Sequence, residues 1–103
     1  MKELHMAEDP VKVDSKHYNV EFENDKVRVL RVSYAAGEKS VMHGHPNLVA
    51  VFLGDARAKF TYPDGKTEEP EVKAGQIMWF PAVEHLPENV GNKPISAILV
   101  ELK

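Results

Sequence analysis

Three histidines carry the chemistry most readily read from this chain. His43 and His45 stand one residue apart in GEKSVMHGHPNLVAVFLG (residues 37–54), and His85 follows about forty residues later, behind a second apolar run. Residues two apart on a strand share a face, so an H-x-H pair aims both imidazoles at one point. A divalent metal takes neutral imidazole nitrogens at about 2.0–2.2 Å, converging from several directions. One strand can supply two of them, and the others must come from a different segment. His85 is the remaining histidine that follows a strand with a turn on each side. Three protein ligands leave coordination positions open, as a catalytic rather than a structural centre requires. The alternative is a pair of rim histidines hydrogen-bonded to loops, with His85 unrelated, because an H-x-H pair alone is a weak signal. His5 and His17 have no partner pattern.

The elements that must position these residues read as strands. In HYNVEFE (17–23), Tyr18, Val20 and Phe22 alternate with Asn19, Glu21 and Glu23, as in a half-buried strand. Asn24-Asp25-Lys26 supplies turn chemistry. VRVLRVSY (27–34) puts Val27 and Val29 on one parity and Leu30, Val32 and Tyr34 on the other; a bulge near Val29–Leu30, or burial on both faces, accounts for the switch. Leu48 to Leu53 is apolar throughout, as in a strand buried on both faces. Ala58, Phe60 and Tyr62 alternate with Arg57, Lys59 and Thr61. Pro63-Asp64-Gly65-Lys66 is a hairpin signal, and the charged return over 68–73, with Pro70, reads as an edge strand. IMWF (77–80) and ISAILVEL (95–102) are further strands, and LPENVGNKP (86–94) reads as loop. No amphipathic helix, repeat or linker stands out. Many short strands between frequent turns indicate an all-β sandwich or barrel.

Carried forward from His43 and His45, the same parity takes Val49, Val51 and Leu53 to the interior. Leu48, Ala50 and Phe52 then form an outer face that needs a cover, from the N-terminal strand or a second subunit. One of Trp79 and Phe80 should face the interior. Val49, Val51, Trp79 and Phe80 are therefore the candidate pocket residues. Arg31 is expected to be solvated, Glu84 to point away from the histidine face and Glu88 to sit in a loop. Glu101 marks the outer end of the last strand.

The totals narrow the function classes. The 103 residues make one domain, with 43% hydrophobic and 28% charged residues, ordinary for a globular chain. A net charge of −3 argues against nucleic-acid or anionic-membrane partners, and no apolar run reaches the length of a membrane span. The absence of cysteine excludes disulfides, thiolate ligands and cysteine nucleophiles. Residues 1–10 (MKELHMAEDP) lack the apolar stretch of a secretory leader and are expected to be flexible, with Met6 a candidate natural start and 11–103 the folded domain. The expected compartment is cytoplasmic. No Ser–His–Asp arrangement and no phosphate-binding glycine loop is present.

Two stretches carry a family resemblance. GEKSVMHGH has a glycine, five residues and then H-x-H; in GQIMWFPAVEHLPEN, Gly75 is followed by five residues and Pro81, and His85 by three residues and Asn89. Together they resemble the two cupin motifs over residues 37–89, which implies a single-domain, all-β, cupin-type jelly-roll β-barrel with a metal on His43, His45 and His85. The resemblance is incomplete. The glutamate that usually follows the second histidine by four or five residues is absent, with Val49 and Ala50 there. Ala56 replaces a glycine, Val83 stands in a shortened Pro81–His85 spacing, and Gln76 takes the place of an aspartate.

A site of three neutral imidazoles leaves the metal's charge uncompensated and favours a small anionic organic substrate. Three-histidine cupins include thiol dioxygenases and β-diketone-cleaving dioxygenases. The resemblance therefore implies one divalent transition metal, Fe first, with Mn, Ni, Zn or Cu as alternatives. It also implies an oxidoreductase role as an Fe(II)-dependent dioxygenase. Two other readings stay open: a non-oxidative metal-dependent isomerase, dehydratase or decarboxylase, and a ligand-binding module without turnover. The family also implies a homodimer.

Overall fold

Alternation of side chains decides the architecture. The structure, a computed structural model, describes residues 8–103; His5 and Met6 lie outside the described residues. A single helical turn α1 (Pro10–Val13) precedes ten strands: β1 (Tyr18–Glu23), β2 (Val27–Tyr34), β3 (His43–His45), β4 (Leu48–Phe52), β5 (Ala56–Thr61), β6 (Thr67–Glu68), β7 (Glu71–Val72), β8 (Ile77–Phe80), β9 (Val83–Asn89) and β10 (Ile95–Leu102). One sheet runs β1-β2-β10-β4-β8; the other runs β3-β9-β5-β6, with β7 also on β5. All pairs are antiparallel. The sheets face each other as an open jelly roll and do not close into the expected barrel.

The core lies between them. Leu30, Val32 and Tyr34 of β2, Leu48, Ala50 and Phe52 of β4, and Ile95, Ala97 and Leu99 of β10 are all buried. This overturns the parity drawn through His45. Leu48, Ala50 and Phe52 point inward, Val49 and Val51 face outward and are half-buried, and Leu53 is exposed. The cause is the step at Pro46-Asn47. β3 pairs with β9, whereas β4 pairs with β10 and β8, so the chain changes sheets in two residues and alternation does not carry across. Asn47 pins that step: its side-chain oxygen accepts from the Ala82 N–H (2.8 Å) and its carbonyl from the Leu102 N–H (2.9 Å).

Three further differences follow from local chemistry. The bulge falls in β1, between Val20 and Phe22, rather than at Val29–Leu30, and turns Phe22 outward beside Val29. Residues 86–89 continue β9 instead of forming a loop. Asn89, fully buried, explains this: its amide donates to the carbonyls of Tyr34 (3.1 Å) and Lys93 (2.8 Å), and its oxygen accepts from the Gly91 N–H (3.0 Å). Residues 8–10, grouped in the sequence with a flexible N-terminus, are engaged: Pro10 is buried, and Asp9 caps α1 by accepting from the Val11 N–H at 3.0 Å. At the hairpin, Gly65 has φ +87°, which an L side chain rarely adopts, and its N–H donates to the Tyr62 carbonyl.

The first sheet is apolar on its outer face as well. Phe22, Val29, Val100, Val49 and Trp79 pair in one row across all five strands, and Phe22 and Trp79 are more than half exposed at its ends. No helix among the described residues is long and apolar enough to cross a membrane.

The register of β4 predicts opposite costs for neighbouring truncations. Leu48→Ala empties the core and is expected to lose about 2–5 kcal/mol, whereas Val49→Ala loses under about 1 kcal/mol. Urea unfolding of the two variants checks this, and the reverse order would restore the parity read through His45.

Candidate metal centre

β3 and β9 pair with His43 directly opposite His85, so two imidazoles meet across the ladder and His45 joins them from two residues along. All three are buried, at 0%, 6% and 8% exposure, and one nitrogen of each lies within 4.8 Å of the other two. Adjacent rings stand nearly perpendicular, with centroids 4.9–5.2 Å apart. The expected ligand set thus comes together.

The Nδ1 side of the H-x-H pair is committed elsewhere. His45 Nδ1 lies 2.6 Å from a Glu101 carboxylate oxygen, and His43 Nδ1 lies 2.9 Å from the Val41 carbonyl and 3.2 Å from Ser40 Oγ. All these partners can accept, so each ring donates from Nδ1 and turns the Nε2 lone pair to the centre. Those Nε2 atoms are 3.1 Å apart. Two ligands at right angles, about 2.2 Å from a metal, would be separated by about 3.1 Å. His85 Nε2 is the one buried side-chain polar atom without a hydrogen-bond partner among the described residues. An orphaned lone pair beside two lone pairs turned toward each other is costly unless a cation binds them. The residues therefore fit a metal ion at His43, His45 and His85.

Electrostatics agree. Burial, followed by the charge of its neighbour His45, pushes His43 down to about 4. Burial, with His45 and His43 beside it, pushes His85 down to about 2. Both are neutral at pH 7, the ligating form. Burial works against charge on Glu101, but hydrogen bonds from His45 and Arg28 outweigh it and hold the carboxyl below its ordinary range.

The centre opens on a cavity between the sheets with an empty volume of about 570 Å³, its open mouth included. His45 and His85 reach it; Leu48, Ala50, Phe52, Phe60 and Phe80 are among its walls. Among the described residues, no lysine, arginine, aspartate or glutamate lines it. Of the expected pocket residues only Phe80 is there. Val49 and Val51 face the other way, and Trp79, opposite Val49, is 53% exposed on the outer surface. The slot of the missing glutamate therefore belongs to inward Ala50, not to Val49.

Four participants escaped the sequence reading. Glu101 is 2% exposed; its signal was parity, because it continues the inward set Ile95, Ala97, Leu99. Tyr18 and Tyr34 line the cavity, and the Tyr34 hydroxyl donates to that of Tyr18 at 2.7 Å. Burial raises both phenols above their ordinary value. His17, without a partner pattern, is buried and stacked on Tyr34 at 4.1 Å, with Nδ1 2.8 Å from Asp14 and Nε2 3.2 Å from Glu38. Nothing local in the sequence marked these partners.

No family model matches the chain, and no curated protein matches it. Solved structures do. A cupin domain from Bordetella pertussis Tohama I superposes with a TM-score of 0.77 at 22% identity, over 84% of this chain and 91% of that one. An uncharacterised conserved protein with a double-stranded β-helix domain from Klebsiella pneumoniae gives 0.66 at 22% identity, over 82% and 74%. An RmlC-like cupin family protein with a double-stranded β-helix fold from Methanocaldococcus jannaschii gives 0.64 at 18% identity, over 86% and 83%. The chain has the fold of a small single-domain cupin.

The depressed histidines make a pH prediction for the metal-free protein. The unfolded chain takes up protons near the ordinary 6.5, while His43 and His85 refuse them down to about 4 and about 2. Their contribution to stability is complete above pH 6.5 and is lost as pH falls toward and through the folded values. With chelator present, the urea midpoint should be flat above pH 7 and fall steadily below 6.5. His85→Leu should make that fall shallower; an equal fall would remove His85 as its source.

Proposed function

We propose that this protein binds one divalent transition metal through His43, His45 and His85 and acts there on a small, largely apolar molecule presenting one anionic donor. The reaction we propose is an oxidative, β-diketone-cleaving type of dioxygenation with Fe(II). The observation that carries the reading is the unpartnered Nε2 of His85 beside the paired Nε2 atoms of His43 and His45, at the edge of a wall without charge. Bound there, the metal supplies Lewis acidity and, as iron, oxygen chemistry.

The chain's own residues do the rest. Val41 and Glu101 hold the two rings of β3 in the ligating tautomer. The aromatic and aliphatic wall excludes water and strengthens every charge interaction within it. That wall supports a diketone over an amino-thiol. An ammonium or a second carboxylate would be buried with no counter-charge, at a cost of roughly several kcal/mol. A Lewis-acid isomerase or decarboxylase would need a positioned acid–base group. Tyr18 and Tyr34 bind each other and are pushed further from ionisation, which gives that reading no support.

The proposal includes a homodimer through the outer face of the first sheet. The row from Phe22 to Trp79 ends in an exposed ring on each side, so a two-fold axis along the strands sets Trp79 of one copy over Phe22 of the other. Sedimentation is expected to give a dimer for the intact chain and a monomer for a Phe22→Lys, Trp79→Lys double variant. An intact chain sedimenting at 11.6 kDa would remove the dimer.

The functional test starts from protein purified without chelator or affinity nickel, loaded anaerobically with Fe(II). Oxygen uptake is expected with a short-chain β-diketone, not with an amino-thiol, and should fall at least a hundredfold in His85→Ala. Uptake with the amino-thiol alone would overturn the substrate class, and uptake with neither would overturn the oxidative reading.

A further inference from the structure

Residues 8–17 reach both ligands of β3, by two separate routes. One begins at Asp9, whose carboxylate takes both terminal nitrogens of Arg28 at 3.0 Å; Arg28 Nε donates to Glu101 at 2.8 Å, and the other Glu101 oxygen receives His45 Nδ1 at 2.6 Å. The second begins at Asp14, which accepts from Ser40 Oγ at 2.5 Å, leaving the Ser40 oxygen to accept from His43 Nδ1 at 3.2 Å. Between the ligands themselves, the Gly44 N–H donates to the Glu8 carbonyl at 2.9 Å. α1 sets the spacing of the two aspartates: Asp9 caps its start, the Asp14 N–H donates to the Pro10 carbonyl, and Pro10 is buried beneath.

We propose that this N-terminal segment is a brace for the metal centre, with Asp9 and Asp14 as positioning residues acting on His45 and His43 through Arg28–Glu101 and Ser40. The inference rests on the metal reading above. Asp9 and Ser40 lie outside the apolar core that joins the sheets, so these contacts add to that packing rather than make it. Their common property is convergence on the Nδ1 atoms of two rings whose Nε2 atoms meet. A ring held on one nitrogen loses rotational freedom on the other, so the site is preorganised before an ion arrives. His85, on β9, has no such tie from the segment. The brace therefore acts on two ligands of three.

The probe is Co(II), whose affinity is read by calorimetry and whose visible spectrum reports coordination geometry. Asp9→Asn keeps a residue that caps helices but removes the charge that grips Arg28. Ser40→Ala cuts the other route and leaves His43 its Val41 carbonyl. Each should weaken Co(II) binding about tenfold and change the band shape, and the pair together about a hundredfold, because the routes end on different ligands. Asp55→Ala, which loses the hydrogen bond to the Ala74 N–H beyond the end of β5 remote from His85, should lower the melting temperature with affinity and spectrum unchanged. A measurement on the wild-type chain covers the case in which a variant folds poorly. Coupling is reciprocal, so a metal held by the brace must hold the brace. Amide exchange at Lys12, Val13 and Asp14 should slow at least tenfold when Zn(II) is added. Wild-type affinity in both variants, or unchanged exchange in the segment, overturns the brace while leaving the metal site standing. A wild-type chain that binds neither ion overturns the metal reading, and the brace with it.

Discussion

The structure depends on one buried carboxylate. Glu101 sits on the inward face of β10, 2% exposed, where an unpaired charge would cost several kcal/mol. It is tolerated because its two oxygens are spoken for, by Arg28 on one side and His45 on the other. That requirement ties the last strand to the second and third, and through Arg28 to the N-terminal segment. Removing Arg28 would leave Glu101 half satisfied; removing Glu101 would free the ring of His45. The interaction belongs to folding and to the site at once.

The sequence disclosed the ligands and not their surroundings, for a physical reason. His43 and His45 were legible because the H-x-H spacing acts over two residues and survives any error in topology, and His85 because it follows the second apolar run within the second motif. Pocket residues depend on parity, and parity is carried only by an unbroken strand. Pro46-Asn47 ends one sheet and begins another, so Val49 and Ala50 exchanged places. Apolar content could not correct the error, because the first sheet is apolar on both faces: the cavity takes Ala50 and Phe52, the outer row takes Val49 and Trp79. Asn89 was legible as a motif position but not as the clamp that extends β9. Glu101 was the fourth member of an inward alternation, yet a carboxylate near a strand end reads by default as solvated. Asp9 and Asp14 lie before the first strand, where nothing local reveals contacts made across the fold.

The distribution of charge about the histidines is one-sided. Among the described residues, the carboxylates bonded toward His43 and His45 lie behind the rings, on the Nδ1 side, and the cavity in front is apolar. Negative charge behind an imidazole raises the basicity of its far nitrogen and steadies a cation there, without occupying a coordination position. The same carboxylate in the position of Ala50 would have taken one.

That placement bears on what can bind. Asp9, Arg28 and Glu101 together carry one negative charge, held one ring away from the centre, with the Asp14 carboxylate a further group behind Ser40 and His43. Among the described residues the cavity wall carries no charge, so a charged tail on an entering molecule would be buried there without a counter-charge. Selectivity at such a site comes less from contacts that recognise a ligand than from the absence of anything to receive a charged tail. The walls of Leu48, Phe52, Phe60 and Phe80 thus act with the carboxylates behind them, the one setting how much charge can enter, the other how it is shared.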